Sequence, residues 1–159
     1  QSLRNPSRAA AHGSFRSWLE QLIFEAQPQL AEKNLTAASS RRSSFRCAPI
    51  PRGLSRVFDN LLRNAILYSW PDTEIDITAT ADDERATIRF TNQGDTIPPE
   101  KLARLFEQFF RLDASRATSG GAGLGLAIAR AITRQHGGDI TAESANDRVT
   151  FTVTLPTGK

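Results

Sequence analysis

Two groups of residues in this 159-residue chain have types and spacings suited to chemistry. The first is Gly120-Gly121-Ala122-Gly123-Leu124-Gly125-Leu126, four glycines in a short stretch that runs into an apolar, helix-forming segment. Glycines let backbone amides approach a ligand closely, and a helix starting there aims free N–H groups and its positive dipole end at that ligand. A phosphate suits such a place. The spacing is G-x-G-x-G; Leu126 stands where a dinucleotide fingerprint needs its last glycine, and no Lys-Ser/Thr follows as in a Walker loop. The second group lies on a predicted helix over 53–69. Asn60, Asn64 and Tyr68 recur at i, i+4 and i+8 and share one face, while Val57, Leu61, Leu62, Ala65 and Ile66 cover the rest. Asparagine is a poor helix former, so two in one stripe ask for a reason. The stripe is either a plain solvent-facing surface or the source of an amide oxygen for Mg²⁺, a cation that keeps waters and takes other oxygens from nucleotide phosphates.

The elements that must position these groups follow from apolar periodicity. Residues 1–14 lack it and read as a flexible leader or cloning remnant, and 157–159 as a tail. Trp18, Leu19, Leu22, Ile23 and Ala26 mark a helix over 15–26 that Pro28 ends. Short strands are expected at 34–39 and 43–48. Ile75, Ile77 and Ala79, then Ala86, Ile88 and Phe90, alternate in two strands joined by the acidic turn Asp82-Asp83-Glu84. Pro98-Pro99 opens a short helix through Leu105, followed by Phe106, Phe109 and Phe110, which read as core or loop-anchoring aromatics. A polar loop spans 113–121, a helix runs from 124 to 136 and ends at Gly137-Gly138, and strands at 139–144 and 148–155 close the domain. This order predicts one α+β domain over 15–156, a two-layer sandwich with helices on one face of a mixed sheet.

Composition narrows the function classes. Apolar residues make up 39% of the chain, enough for one core, and no apolar run is long enough to span a bilayer. A net charge of +3, spread along the chain, does not form a nucleic-acid footprint. The single Cys47 excludes an internal disulfide and fits a reducing, cytoplasmic compartment. Trp18, Trp70 and Cys47 read as packing residues, and His136 as a cation at a helix C-terminus.

Taken together, the segments resemble a known family. The Asn60–Asn64 helix, Asn92-Gln93-Gly94, Phe106-Glu107-Gln108-Phe109-Phe110-Arg111-Leu112-Asp113 and the glycine loop resemble the N, G1, F and G2 boxes of sensor histidine kinases, in order and spacing. His136-Gly137-Gly138 and Glu143-Ser144 match the tail of that pattern. The resemblance covers about 15–156. It is strongest to the vancomycin-resistance sensor kinases, through Asn92 to Leu102 and Phe109 to Arg116. It implies the catalytic, ATP-binding half of such a kinase, in the Bergerat fold.

What the resemblance implies can be placed residue by residue. Asn64 would coordinate Mg²⁺, with Asn60 near phosphate or a metal-bound water. Tyr68 would pack on adenine, Asn92 would take the place of the usual adenine-reading Asp, and Gly94 and Ile97 would line the base pocket. Arg111 and Arg116 would neutralise the γ-phosphate. Gly121, Gly123, Leu124, Gly125 and Leu126 would hold the polyphosphate, and 113–121 would be the ATP lid. The implied cofactors are ATP and Mg²⁺. The implied partners are the kinase's own dimerisation and phosphotransfer domain and a cognate response regulator, within a homodimeric full-length kinase. The fragment itself would be a monomer from the cytoplasmic part of a bacterial membrane sensor.

Three departures point to weaker nucleotide affinity. Asn92 replaces Asp, Leu67 stands where many members carry Lys, and Thr96 replaces the second G1 glycine. Asn60 also stands where gyrase-like ATPases carry a catalytic Glu, so phosphate donation is favoured over hydrolysis. His12 and His136 are the only histidines, and neither sits in a phosphoacceptor motif. The competing reading is a catalytically weak nucleotide-binding module that acts by binding a partner.

Overall fold

The computed structural model describes residues 15–39, 53–108, 110 and 125–156. In chain order the elements are α1 (Phe15–Glu25), α2 (Gln27–Glu32), β1 (Thr36–Ser39), α3 (Leu54–Tyr68), β2 (Glu74–Ala81), β3 (Arg85–Gln93), α4 (Pro99–Leu102), α5 (Gly125–Gln135), β4 (Asp139–Ala145) and β5 (Arg148–Pro156). The strands form one five-stranded sheet in the order β1-β2-β3-β5-β4. β1 runs parallel to β2, with Ala37 opposite Ile75, and the other pairings are antiparallel. The sheet is therefore mixed, as its order of elements predicts.

Alternation decides which face is buried. Ile75, Ile77 and Ala79 on β2, Ala86, Ile88 and Phe90 on β3, and Val149, Phe151 and Val153 on β5 all point into the core. The register places Ile77 beside Phe90 and Phe90 beside Phe151, so apolar pairs meet across the sheet. Polar residues take the other face, where the hydroxyls of Thr91 and Thr150 lie 3.2 Å apart. α3 supplies the opposing layer through Leu54, Val57, Phe58, Leu61, Leu62, Ala65 and Ile66. The Phe58 ring sits edge-on to Trp18 at 4.9 Å and stacks towards Phe90 at 6.2 Å, joining α1, α3 and the sheet.

Three expectations need correction. Pro28 does not end helical structure: α1 stops at Glu25, and Pro28 occupies the first turn of α2, whose Leu30 is fully buried. The first turn of a helix has no internal partner for its N–H groups, so proline costs nothing there. The first strand starts at Thr36 rather than 34, because Asn34 has φ +55° and its amide donates to Asp72 at 2.6 Å. The Pro98-Pro99 helix is also short, α4 ending at Leu102 and continuing as turns to Leu105. The expected strand at 43–48, Cys47, His12, Phe109 and the 113–121 loop lie outside the described residues. Among the described residues no helix is long and apolar enough to cross a membrane.

The ends of the two site-bearing helices are fixed by contacts far away in sequence. Lys33 donates from Nζ to the carbonyls of Ile66 (2.8 Å) and Leu67 (3.0 Å), placing a cation on the negative end of α3. α5 ends in the expected glycine cap: Gly137 has φ +85°, and Gly138 N–H donates to Thr133 while Gly137 N–H donates to Arg134. A Cβ at Gly138 would lie 1.9 Å from the Thr154 carbonyl, so glycine is required for the chain to enter β4 against β5. Asp139 then ties β4 back to α5, accepting from Arg130 (3.2 Å), Arg134 (3.1 Å) and the Ile140 N–H (2.8 Å).

Partial burial alone would raise the Asp139 pKa. Hydrogen bonds from Arg134, Ile140 and Arg130, with the Arg130 charge, outweigh it and hold the carboxyl below its ordinary value. A depressed folded pKa gives stability that is complete above the unfolded carboxylate pKa of about 3.9 and is lost as pH falls through the folded value. Urea midpoints measured from neutral pH downward should therefore fall less steeply in acid for Asp139→Asn than for the parent chain. Parallel acid limbs would contradict this assignment.

Candidate functional site

The predicted stripe on α3 does converge with the start of α5. Asn60 Nδ2 donates to the Gly125 carbonyl at 3.2 Å, and Asn64 Nδ2 donates to the Asn60 carbonyl at 2.8 Å. Both side chains are half-buried, and their amide nitrogens are thus committed to the protein. Their oxygens are the ends left to accept from, or ligate, something else. A Cβ on Gly125 would lie 3.6 Å from Asn60 Oδ1 and 4.0 Å from Asn64 Nδ2, which is ordinary contact. Packing therefore does not require glycine at 125. Leu126 is different, its side chain being buried in the core, so only its main chain could serve a ligand.

At the far end of the stripe lies the second part of the site. Tyr68 is two helical turns beyond Asn60, about 12 Å along the axis. Its burial raises the phenol pKa and keeps the hydroxyl neutral. Asn92 emerges from β3 on the core face and is fully buried, and neither its Nδ2 nor its Oδ1 has a hydrogen-bond partner among the described residues. Leaving such a group unpaired costs about 1–3 kcal/mol, so the pair stands out among the described residues.

Gly94 follows, and a Cβ there would stand 2.1 Å from the Tyr68 carbonyl and 3.2 Å from Asn92 Nδ2. Its small size is needed first for β3 to pass the end of α3, a stricter demand than the approach to a base that the sequence suggests.

The 94–97 segment hangs on the β4–β5 hairpin. Asn146 and Asp147 have φ +54° and +59°, the backbone of a tight two-residue turn that asparagine and aspartate tolerate. Gly94 N–H donates to the Asp147 carbonyl at 3.0 Å, and Ile97 N–H donates to Ser144 Oγ at 2.8 Å. Thr96 Oγ1 accepts from Asp147 N–H at 2.8 Å and donates to Asp147 Oδ1 at 3.3 Å. The threonine in place of a glycine is thus a clamp that no glycine could provide. Ile97 is buried.

Four features carried no local sequence signal. Lys33 holds the end of α3, and Asp139 gathers two arginines. Arg130 stacks over the Phe106 ring at 5.0 Å, which anchors the segment after α4 to α5, and Arg104 stacks over Phe110 at 4.6 Å within that segment. Trp70 is partly exposed and donates to Asp95 at 3.0 Å. Arg111, Arg116, Gly121, Gly123 and Leu124 lie outside the described residues.

A profile of the histidine kinase-, DNA gyrase B- and HSP90-like ATPases matches residues 50–159. Sensor protein VanSC of Enterococcus gallinarum is 47% identical over 139 residues, which are 87% of this chain and 38% of that protein. Sensor protein VanS of Enterococcus faecium is 45% identical over 87% of this chain and 36% of its own length. The chain thus spans little more than a third of these relatives. Among solved structures, a nucleotide-free catalytic domain of histidine kinase ThkA has a TM-score of 0.77, with 91% of this chain and 93% of that chain covered. At 23% identity it shows the fold alone. Full-length ShkA in complex with AMPPNP has a TM-score of 0.78 at 25% identity, covering 92% of this chain and 30% of that one.

The two glycines should respond differently to alanine. Gly94→Ala, which overpacks the end of α3, should cost about 1–3 kcal/mol by thermal or urea unfolding. Gly125→Ala should leave the melting temperature unchanged or raise it, since alanine gains up to about 1 kcal/mol over glycine in a helix. It should weaken nucleotide binding by about tenfold or more, some 1.4 kcal/mol. A destabilised Gly125→Ala with intact binding would show that this glycine serves packing.

Proposed function

The chain belongs to the family of histidine kinase-, DNA gyrase B- and HSP90-like ATPases, and on that premise we propose that it is the catalytic domain of a sensor histidine kinase. It binds Mg-ATP and passes the γ-phosphoryl group to a histidine on the kinase's dimerisation domain. The observation that carries this reading is the Asn92 amide, without a hydrogen-bond partner among the described residues, at one end of the α3 stripe, with Asn60, Asn64 and the start of α5 at the other. A nucleoside triphosphate is a ligand of about that length with a polar base edge at one end and anionic oxygens at the other.

The residues present fit that ligand. Asn92 meets the base edge, Tyr68 packs on the ring, and Ile97 and Gly94 close the pocket around it. Asn64 offers Oδ1 to Mg²⁺, its Nδ2 being held by Asn60. Mg²⁺ supplies charge neutralisation across the phosphates and a template for in-line transfer. The N-terminal amides of α5, with Gly121, Gly123, Leu124, Gly125 and Leu126 contributing main chain, cradle the polyphosphate. Arg111 and Arg116 balance charge at the γ-phosphate. Asn60 carries no carboxylate and cannot take a proton from water, so the bound nucleotide is kept for transfer rather than hydrolysis.

The similarity to the VanS proteins supports a role in a glycopeptide-resistance circuit, with a response regulator receiving the phosphoryl group from the acceptor histidine. In that setting the domain sits on the cytoplasmic side of a membrane sensor and works within a homodimer.

The test mixes the chain with the dimeric phosphoacceptor domain of its own kinase and γ-labelled Mg-ATP. Acid-labile phosphohistidine should form on the acceptor. Asn64→Ala should reduce its rate by at least about a hundredfold, the scale of losing one preorganised group at a charged transition state, with an unchanged far-UV spectrum. Nucleotide binding without phosphohistidine would instead identify a regulatory nucleotide-binding module. Transfer that survives Asn64→Ala would remove Asn64 from the metal site.

A further inference from the structure

We propose that the base pocket reads 6-oxopurine nucleotides as well as 6-aminopurine ones, because Asn92 presents an amide whose orientation no hydrogen bond among the described residues fixes. The inference rests on the nucleotide reading above and names the substrate class of the same site. Asn92 is fully buried, and both Oδ1 and Nδ2 lack a hydrogen-bond partner among the described residues. The carbonyl of the adjoining Tyr68 faces the Gly94 position rather than being paired with this amide.

An aspartate here would be an acceptor only. Facing the C6 substituent, it would accept a hydrogen bond from the exocyclic amine of adenine and repel the carbonyl oxygen of a 6-oxopurine. An amide carries donor and acceptor side by side in one plane, and a half-turn about Cβ–Cγ exchanges them. Adenine offers a donor at N6 beside an acceptor at N1. Hypoxanthine offers an acceptor at O6 beside a donor at N1–H. One orientation of Asn92 complements each edge, and since no hydrogen bond to the described residues is broken in turning, the two are reached at similar cost. Asn92 is thus a specificity-determining residue that broadens the choice of base.

The experiment is isothermal titration of the 159-residue chain with Mg-ATP and with Mg-ITP, whose base differs at the C6 and N1 positions alone. The dissociation constants should lie within about tenfold of each other, and Asn92→Asp should widen the gap by at least about tenfold, the lower part of the range for a bidentate amide–base pair. Tight ATP binding with ITP more than tenfold weaker in the parent chain overturns the proposal and leaves the nucleotide reading standing. A gap unchanged in a folded Asn92→Asp chain also overturns it, because the discrimination would then lie elsewhere. Binding of neither nucleotide overturns the nucleotide reading and this inference with it. Should Asn92→Asp fail to fold, the parent ratio decides alone.

Discussion

The position of α3 is the constraint on which the rest of this structure depends. One side of the helix is buried through seven apolar residues, from Leu54 to Ile66. Burying a side chain of that size is worth about 1.5–3 kcal/mol, so the helix cannot rotate without losing much of the core. The other side is left with Asn60, Asn64 and Tyr68, in the one orientation the core permits. Its C-terminal end is then fixed by neighbours that offer no slack. Lys33 holds the last carbonyls, and the Tyr68 carbonyl lies so near Gly94 that no side chain fits between. The polar stripe is thus aimed by packing rather than by its own hydrogen bonds.

A second rigid line runs through the sheet. β3 brings Asn92 into the interior, and the β4–β5 hairpin reaches across to hold the chain that follows. Thr96, Gly94 and Ile97 are all bonded to that hairpin. The helix end and the strand end consequently meet at fixed distance, with Asn92 between them and without a hydrogen bond to any described residue. A buried amide in that condition is costly in the folded chain by itself and is relieved by a ligand that pairs with it. The destabilising feature and the recognising feature are the same atoms.

Much of this could be read from local patterns. The apolar spacing of α3, the alternation of β2 and β3 and the Gly137-Gly138 cap follow from short-range periodicity and backbone chemistry, whereas the meeting of Asn60 with Gly125, 65 residues apart, is implied by the family resemblance alone. The features that could not be read are long-range. Lys33 caps a helix more than thirty residues away, and Thr96 clamps a turn some fifty residues later. Pro28 was misleading for a different reason: proline ends a helix or begins one, and the choice depends on whether Leu30 finds a place in the core. The purpose of Gly94 was visible only in part, since the nearest atom to a side chain there belongs to Tyr68.

The central claim is that one ligand engages both ends of the α3 stripe at once. It is tested most directly by following ¹⁵N-labelled chain by NMR as Mg-ATP is added. The side-chain amides of Asn92 and Asn64 and the backbone amide of Gly125 should shift together, with one common dissociation constant, while the side-chain amides of Asn34 and Asn146 stay in place. Shifts at Gly125 and Asn64 without Asn92, or saturation at different concentrations, would contradict a single nucleotide spanning the site.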